Sequence, residues 1–276
     1  MRDANTAVEN DPPPQAQPMS DTDRSNMTDK RSGKLRKALK IAALSLLGIF
    51  ALYEISTFAW KQSGSNEWKV ASNHDGIKVW TLKTQGSSLL KVKGEMRTKA
   101  RLGSLVAILT ETEVGDDSVG IGKNTVLDRK DTPSLFMTYI HYVWDLSLMT
   151  GLPIGRREFI VQLHHSQDTV TKEIELNVLA APNKLHPKNN LERVSHLNNV
   201  WTLIPRDNGE VDIAIVMDVD LGGNLPHFFQ NLMMPEMARS LLSIVRKQTT
   251  AERYVNAKVA YISEPGEATQ LNTFEP

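Results

Sequence analysis

Five positions on strand-like segments carry the side chains best suited to chemistry: Tyr139, His141, Arg157, Glu158 and Arg193. An enzyme acting inside a cavity would need an acid–base pair there, and tyrosine, histidine and glutamate are the usual suppliers. No spacing among Tyr139, His141 and Glu158 sets two of them apart as such a pair. The planar guanidinium of arginine suits two tasks, so Arg157 and Arg193 have two readings. Either they grip or polarise a ligand headgroup, or they orient strand ends by satisfying carbonyls and acids; the second is preferred.

Other motifs fall short of a mechanism. Gly-x-Ser-x-Gly, His-Glu-x-x-His and the calcium-loop pattern do not occur. Gly120-Ile121-Gly122-Lys123-Asn124-Thr125 is similar to part of a phosphate-binding loop, but Asp117 stands where a glycine is needed and Asn124 where Ser or Thr is needed. It reads as a turn between elements. His164 and His165 are adjacent on a strand and point to opposite faces, so they cannot share a metal without distorting it. His74-Asp75 reads as a turn. The chain has no cysteine, which excludes disulfides, thiolate metal sites, iron–sulfur clusters and a cysteine nucleophile. Lysine plus arginine and aspartate plus glutamate both number 32, so the net charge of zero makes no case for nucleic acid. No metal site and no cofactor are expected.

The elements that would position these residues are mostly strands. Ile77–Thr84 and Leu89–Lys99 alternate and are joined by a Gln85–Ser88 turn; Ala100–Thr112 has Leu102, Leu105, Val106 and Leu109 at helical spacing. Strands are then expected at Asn124–Lys130, Leu135–Val143, Glu158–His165, Val170–Leu179, Arg193–Ile204 and Val211–Val219. The last two are joined across a Pro205–Gly209 turn. In Val211–Val219 one face is wholly apolar and the other half charged, as in a sheet wet on one side. Leu225–Arg246 reads as a long helix with Phe229, Met233, Met237, Leu241 and Ile244 on one face, kinked or interrupted at Pro235. The fold class is therefore α+β: a curved antiparallel sheet of about eight strands closed by a C-terminal helix.

The first part of the chain reads differently. Residues 1–29 offer little to bury and are expected to be disordered; the tail, with its basic stretch Lys30, Arg31, Lys34, Arg36, Lys37 and Lys40, occupies 1–40. The thirteen uncharged residues Ile41–Tyr53 are too few for a span of ~20, but Ile41 through Trp60 makes twenty with one acid, Glu54, near the end. Residues 41–60 are read as an uncleaved transmembrane signal anchor. A buried helix is disfavoured by the flanking charges. A cleaved signal peptide, with translation from Met27, is the rival, but Thr57-Phe58-Ala59 followed by Trp60 is a poor cleavage context. Six cations before the segment and only Lys61 close behind it place the N-terminus in the cytoplasm and the domain on the opposite, periplasmic or lumenal, side.

Several stretches resemble the START (steroidogenic-acute-regulatory-related lipid transfer) family. Trp68-Lys69-Val70 and His74-Asp75-Gly76-Ile77-Lys78-Val79-Trp80 are similar to the family's opening. Leu152-Pro153-Ile154-Gly155-Arg156-Arg157-Glu158-Phe159-Ile160 resembles its Arg-Asp-Phe strand entry, with Glu158 for the usual Asp. Arg193-Val194 with Trp201-Thr202-Leu203-Ile204-Pro205 resembles a later strand, and Asp220-Leu221-Gly222-Gly223-Asn224-Leu225-Pro226 resembles the entry to the last helix. The resemblance covers about residues 66–263, leaving 264–276 as a tail.

It implies a helix-grip fold and a non-enzymatic module holding a lipid or other hydrophobic molecule between the sheet and the last helix. The implied ligand-binding set is Tyr139, Arg157, Arg193, Trp201, Leu203, Ile215 and Met217 on strands, with Phe228, Phe229, Leu232, Met233, Met237 and Leu241 on the helix. Phenylalanine and methionine (Met234 included) suit an adaptable lipid wall, although ordinary core has the same periodicity. Leu163 stands where sterol-binding members carry a buried arginine, so a sterol site is not carried over. Two other functions stay open: an enzyme, since relatives of this fold include cyclases and hydrolases, and an interaction domain with a closed cavity whose tail recruits a cytoplasmic partner.

Overall fold

The computed structural model describes residues 21–110, 122, 124–132, 135–151, 153–187 and 190–266. Residues 1–20 of the expected 1–40 tail, 267–276 of the expected 264–276 tail, most of the Gly120–Thr125 stretch and the end of the Ala100–Thr112 helix lie outside them. The chain divides into two units, Met1–Phe58 and Ala59–Pro276.

The first unit is the helix α1, which runs Asp21–Gln62 across the division. It starts well before the apolar segment, so residues 21–29, expected without structure, are helical backbone; no proline or glycine interrupts them, although only Arg24 and Met27 among them are strong helix formers. Within α1, Leu39–Gln62 is 24 residues of apolar helix with nothing buried, long enough to cross a bilayer. At 1.5 Å per residue that is about 36 Å against a hydrocarbon core of ~30 Å.

The second unit is one ten-stranded sheet. Its strands are β1 (Trp68–His74), β2 (Ile77–Lys83), β3 (Leu90–Lys99), β4 (Thr125–Thr132), β5 (Leu135–Asp145), β6 (Arg156–Gln167), β7 (Ile174–Ala180), β8 (Glu192–Arg193), β9 (His196–Pro205) and β10 (Glu210–Asp220). The order is β1-β2-β3-β10-β9-β7-β6-β5-β4, all antiparallel, with β8 alone lying parallel beside β6. Helices α2 (Leu102–Thr110), α3 (Leu146–Thr150), α4 (His227–Gln248) and α5 (Glu252–Val255) complete it.

Four readings need correction. β1 and β8 were not expected as separate strands, and the Arg193–Ile204 run breaks into β8 and β9. The Val170–Leu179 strand begins only at Ile174. Before it the Asp168 carboxylate accepts from the Val170 amide at 2.8 Å, the Thr171 amide at 2.6 Å and the Thr171 hydroxyl, and Lys172 is left-handed at φ 60°, so these residues close a turn. α4 continues through Pro235 as one helix, so of the two expectations there, kink or interruption, the interruption is corrected. Short α3, capped by the Asp145 carboxylate on the Ser147 and Leu148 amides, went unseen.

The core lies between the concave sheet face and helices α2 and α4. β10 alternates without a break: Val211, Ile213, Ile215, Met217 and Val219 are buried and the residues between them half-buried. α4 crosses β2 and β3. Gly94 makes that approach possible, because a Cβ there would stand 2.7 Å from Leu242 Cδ1. Gln230 pins the start of α4: its amide N–H donates to Val219 O at 2.6 Å and its carbonyl accepts from Leu221 N at 3.0 Å.

Candidate functional site

Side-chain parity decides what faces the interior. On β5, Ile140, Tyr142 and Trp144 point inward with Phe159, Val161 and Leu163 of the paired β6. Tyr142 stacks on its cross-strand partner Phe159, with centroids 4.7 Å apart and planes 11° apart, and Trp144 tilts against the same ring at 4.8 Å.

These strands wall a cavity of about 140 Å³. Val178 of β7, Asn199 and Trp201 of β9 and Ile215 of β10 continue the sheet side. Ile108 and Leu109 of α2 and Leu241, Ile244 and Val245 of α4 close it. Among the described residues its polar wall is Asn124, Tyr142 and Asn199, and it has no charged residue. Burial pushes the Tyr142 phenol up, beyond any physiological ionisation. The volume matches an engineered apolar cavity of about 150 Å³ that admits benzene.

Of the thirteen expected ligand-binding residues, Trp201, Ile215 and Leu241 line this cavity. Leu203, Met217 and Met237 are buried in the packed core, and Met233 packs against it. Phe228 and Leu232 are 58% and 74% exposed on the outer side of α4. Phe229 and Arg157 meet instead at a separate cleft of about 330 Å³, where Ile154 and Leu225 flank the start of α4.

Tyr139 is on the other parity of β5, away from the cavity. Its hydroxyl lies 3.3 Å from Gln162 Oε1 and its ring lies under the Lys184 ammonium at 4.1 Å. His141 and Glu158 share that outer face, so the three acid–base candidates do not meet in the cavity.

Both arginines are engaged by the protein, Arg193 with every guanidinium nitrogen and Arg157 with three hydrogen bonds. Arg157, 4% exposed, donates to Leu221 O at 2.8 Å, Ile154 O at 3.1 Å and Gly222 O at 3.4 Å, fastening the β10–α4 loop. Burial holds its pKa below the usual arginine value, an effect the nearby Glu192 offsets in part. Arg193 stands beside Glu158 in the parallel β6–β8 register and donates to its carboxylate at 2.7 and 3.0 Å. It also donates to Pro182 O at 2.8 Å, His186 O at 2.9 Å and Leu185 O. The other Glu158 oxygen lies 3.0 Å from His141 Nε2. Burial opposes the charge on Glu158, whose side chain is 0% exposed, but the hydrogen bonds from Arg193 and His141 outweigh it and hold the pKa below the carboxylate range. The two arginines therefore orient chain segments, the preferred sequence reading.

Tyr142, Trp144 and Asn199 escaped the sequence reading. A weak signal exists in β5, where Ile140-Tyr142-Trp144 is more apolar than Tyr139-His141-Val143, but the strand expected over Leu135–Val143 stops short of Trp144.

No family model matches the chain. An uncharacterized protein of Pseudomonas aeruginosa is 19% identical over 183 residues, 66% of this chain and 86% of that protein. Among solved structures, a STAR-related lipid transfer protein from Xanthomonas axonopodis is similar with a TM-score of 0.58 and 24% identity over 65% of this chain and 97% of that one. Human STARD10 gives 0.57 and 16% over 72% and 79%. The lipid transfer and protein localization domain of human StarD13 gives 0.56 and 16% over 74% and 96%. The second unit thus has the helix-grip fold of the STAR-related lipid transfer domains.

Proposed function

We propose that residues 66–263 form a non-enzymatic module that binds a lipid or other hydrophobic molecule, and that residues 41–60 anchor it in a membrane. The observation that carries this reading is the apolar cavity between the sheet, α2 and α4, with no charged group on its described wall. The solved structures of like fold, named as lipid transfer proteins, support it. Arg157 and Arg193 do not enter the cavity, and Tyr139, His141 and Glu158 sit behind the sheet, which speaks against acid–base catalysis there. At about 140 Å³ the cavity between the described residues holds one ring or the end of a chain, and an outward move of α4 or α2 would give a larger molecule more room.

The test is organic extraction of the purified protein and mass spectrometry of what leaves with it. A hydrophobic molecule in near-equimolar amount is the expected result; a protein that carries none and gains none from a membrane extract favours the closed interaction domain.

The six cations before Ile41 support a cytoplasmic N-terminus with the domain on the far side. Protease added outside spheroplasts should then digest residues beyond Trp60 and spare the tail. The opposite pattern reverses the topology.

A further inference from the structure

We infer that the cavity selects an uncharged, compact apolar group carrying a hydrogen-bond acceptor oxygen, which the Tyr142 hydroxyl and the Asn199 amide meet as donors. This deepens the proposed function and rests on it.

Tyr142 is placed by packing. Its ring is stacked on Phe159 and wedged beside Trp144, and among the described residues its hydroxyl makes no hydrogen bond to protein. Asn199 is placed by a hydrogen bond on its other edge. The Asp218 amide donates to Asn199 Oδ1 at 3.2 Å, which fixes the flip and leaves the NH2 as the free end, again with no protein acceptor among the described residues. Both side chains line the same cavity. Both residues are half-buried, so a ligand that fills the cavity takes water from these donors; one that supplies an acceptor replaces it, and a pure hydrocarbon leaves them unpaired.

The wall also says what the acceptor is not. No lysine or arginine lines the described cavity to neutralise a phosphate or carboxylate, and a charge would be desolvated against Ile140, Val161, Leu163 and Ile215. A ketone, ester or ether oxygen meets the donors without that cost. The volume limits the group to about one substituted ring, or to the ester end of an acyl chain.

The test uses the full chain in phosphatidylcholine nanodiscs, with empty nanodiscs as the blank. Acetophenone and ethylbenzene serve as probes, being nearly the same shape and differing in the carbonyl oxygen. The wild-type protein should bind acetophenone with its carbonyl stretch at lower frequency than in hexane. Tyr142→Phe, which keeps the stack on Phe159, should weaken acetophenone about five- to tenfold, return the stretch toward the hexane value and leave ethylbenzene unchanged. If the variant binds acetophenone as tightly, with the same stretch, the donor assignment is overturned. If neither probe binds the wild-type protein, the hydrophobic-cavity reading itself falls. Competition separates the two sources. Displacement of acetophenone by methyl decanoate, but not by decane, assigns the acceptor to an acyl ester; displacement by neither assigns it to a free compact molecule.

Discussion

Trp60 and Asn231 donate to one acceptor: the Ser88 carbonyl receives the Trp60 indole N–H at 2.9 Å and the Asn231 amide at 3.0 Å. Trp60 closes the apolar segment, Ser88 is in the β2–β3 turn and Asn231 is on the second turn of α4. The residues that follow Trp60 are tied to the same turn. Gly86 N donates to Lys61 O at 2.8 Å, and Lys83 Nζ donates to Ser63 O at 2.7 Å. Gly64 permits this closeness at φ 145°, where a Cβ would stand 2.7 Å from Lys83 O. The exit from the apolar segment and the start of the closing helix are thus joined through one hairpin.

Asn231→Ala removes both the bond to Ser88 O and the one in which Asn231 Oδ1 accepts from Leu90 N at 2.9 Å. It should cost about 1–3 kcal/mol, with amide exchange at Leu90 accelerated more than at core positions such as Ile213. Equal acceleration everywhere would mean that Asn231 supports the whole fold and not the hairpin.

Glu158 should make the domain acid-sensitive. Its folded pKa lies below the ordinary carboxylate value, so its contribution is complete above that value and is lost as pH falls through the folded pKa. Unfolding at pH 7 should show Glu158→Gln destabilised by about 3–5 kcal/mol, because Arg193 is left buried without its counter-charge. The difference from wild type should shrink as pH drops below about 4. A difference that stays constant down to acid pH would show that packing, and not the ion pair, carries the loss.

Gly94→Val places a branched side chain where Leu242 already sits. Either the Leu242 side chain shifts within a filled core or α4 lifts from β3, and overpacking of this kind costs about 1–3 kcal/mol. Thermal melts should show the loss, and Gly94→Val combined with Leu242→Ala should recover part of it. Without recovery, the strain lies elsewhere than between these two residues.

The architecture was legible where one face differs strongly from the other. β10 has only hydrocarbon and Met217 on one side and mostly acids, with Ala214 and Val216, on the other, so only one orientation buries it well. β5 has bulky side chains on both faces, because Lys184 lies over Tyr139 and Glu158 pairs with His141 on its outer side, so the contrast between the faces is weak and does not single out Tyr142 over Tyr139. Along α4 the periodicity found the buried side but not the depth. Met237 and Leu241 are one turn apart, and only Leu241 reaches the cavity. Phe228 and Leu232, offset by one residue from the Phe229–Met233–Met237 stripe, fall on the outer side for the same geometric reason.

The depth difference along the sheet and helix gives the last prediction. Val178 borders the cavity, so Val178→Phe adds its ring to existing space and should change stability by less than about 1 kcal/mol. Met237 lies in filled core, so Met237→Trp has no space to enter and should cost about 1–3 kcal/mol. Ligand capture should separate the pair in the opposite sense. Val178→Phe should lose the co-purifying hydrophobic molecule while keeping its melting temperature, whereas Met237→Trp should retain it in whatever fraction stays folded. If Val178→Phe melts lower by as much as Met237→Trp, the space beside Val178 is not a cavity. If it melts normally and still carries the molecule, the ligand is held elsewhere, and the cleft beside Phe229 and Arg157 becomes the site to examine.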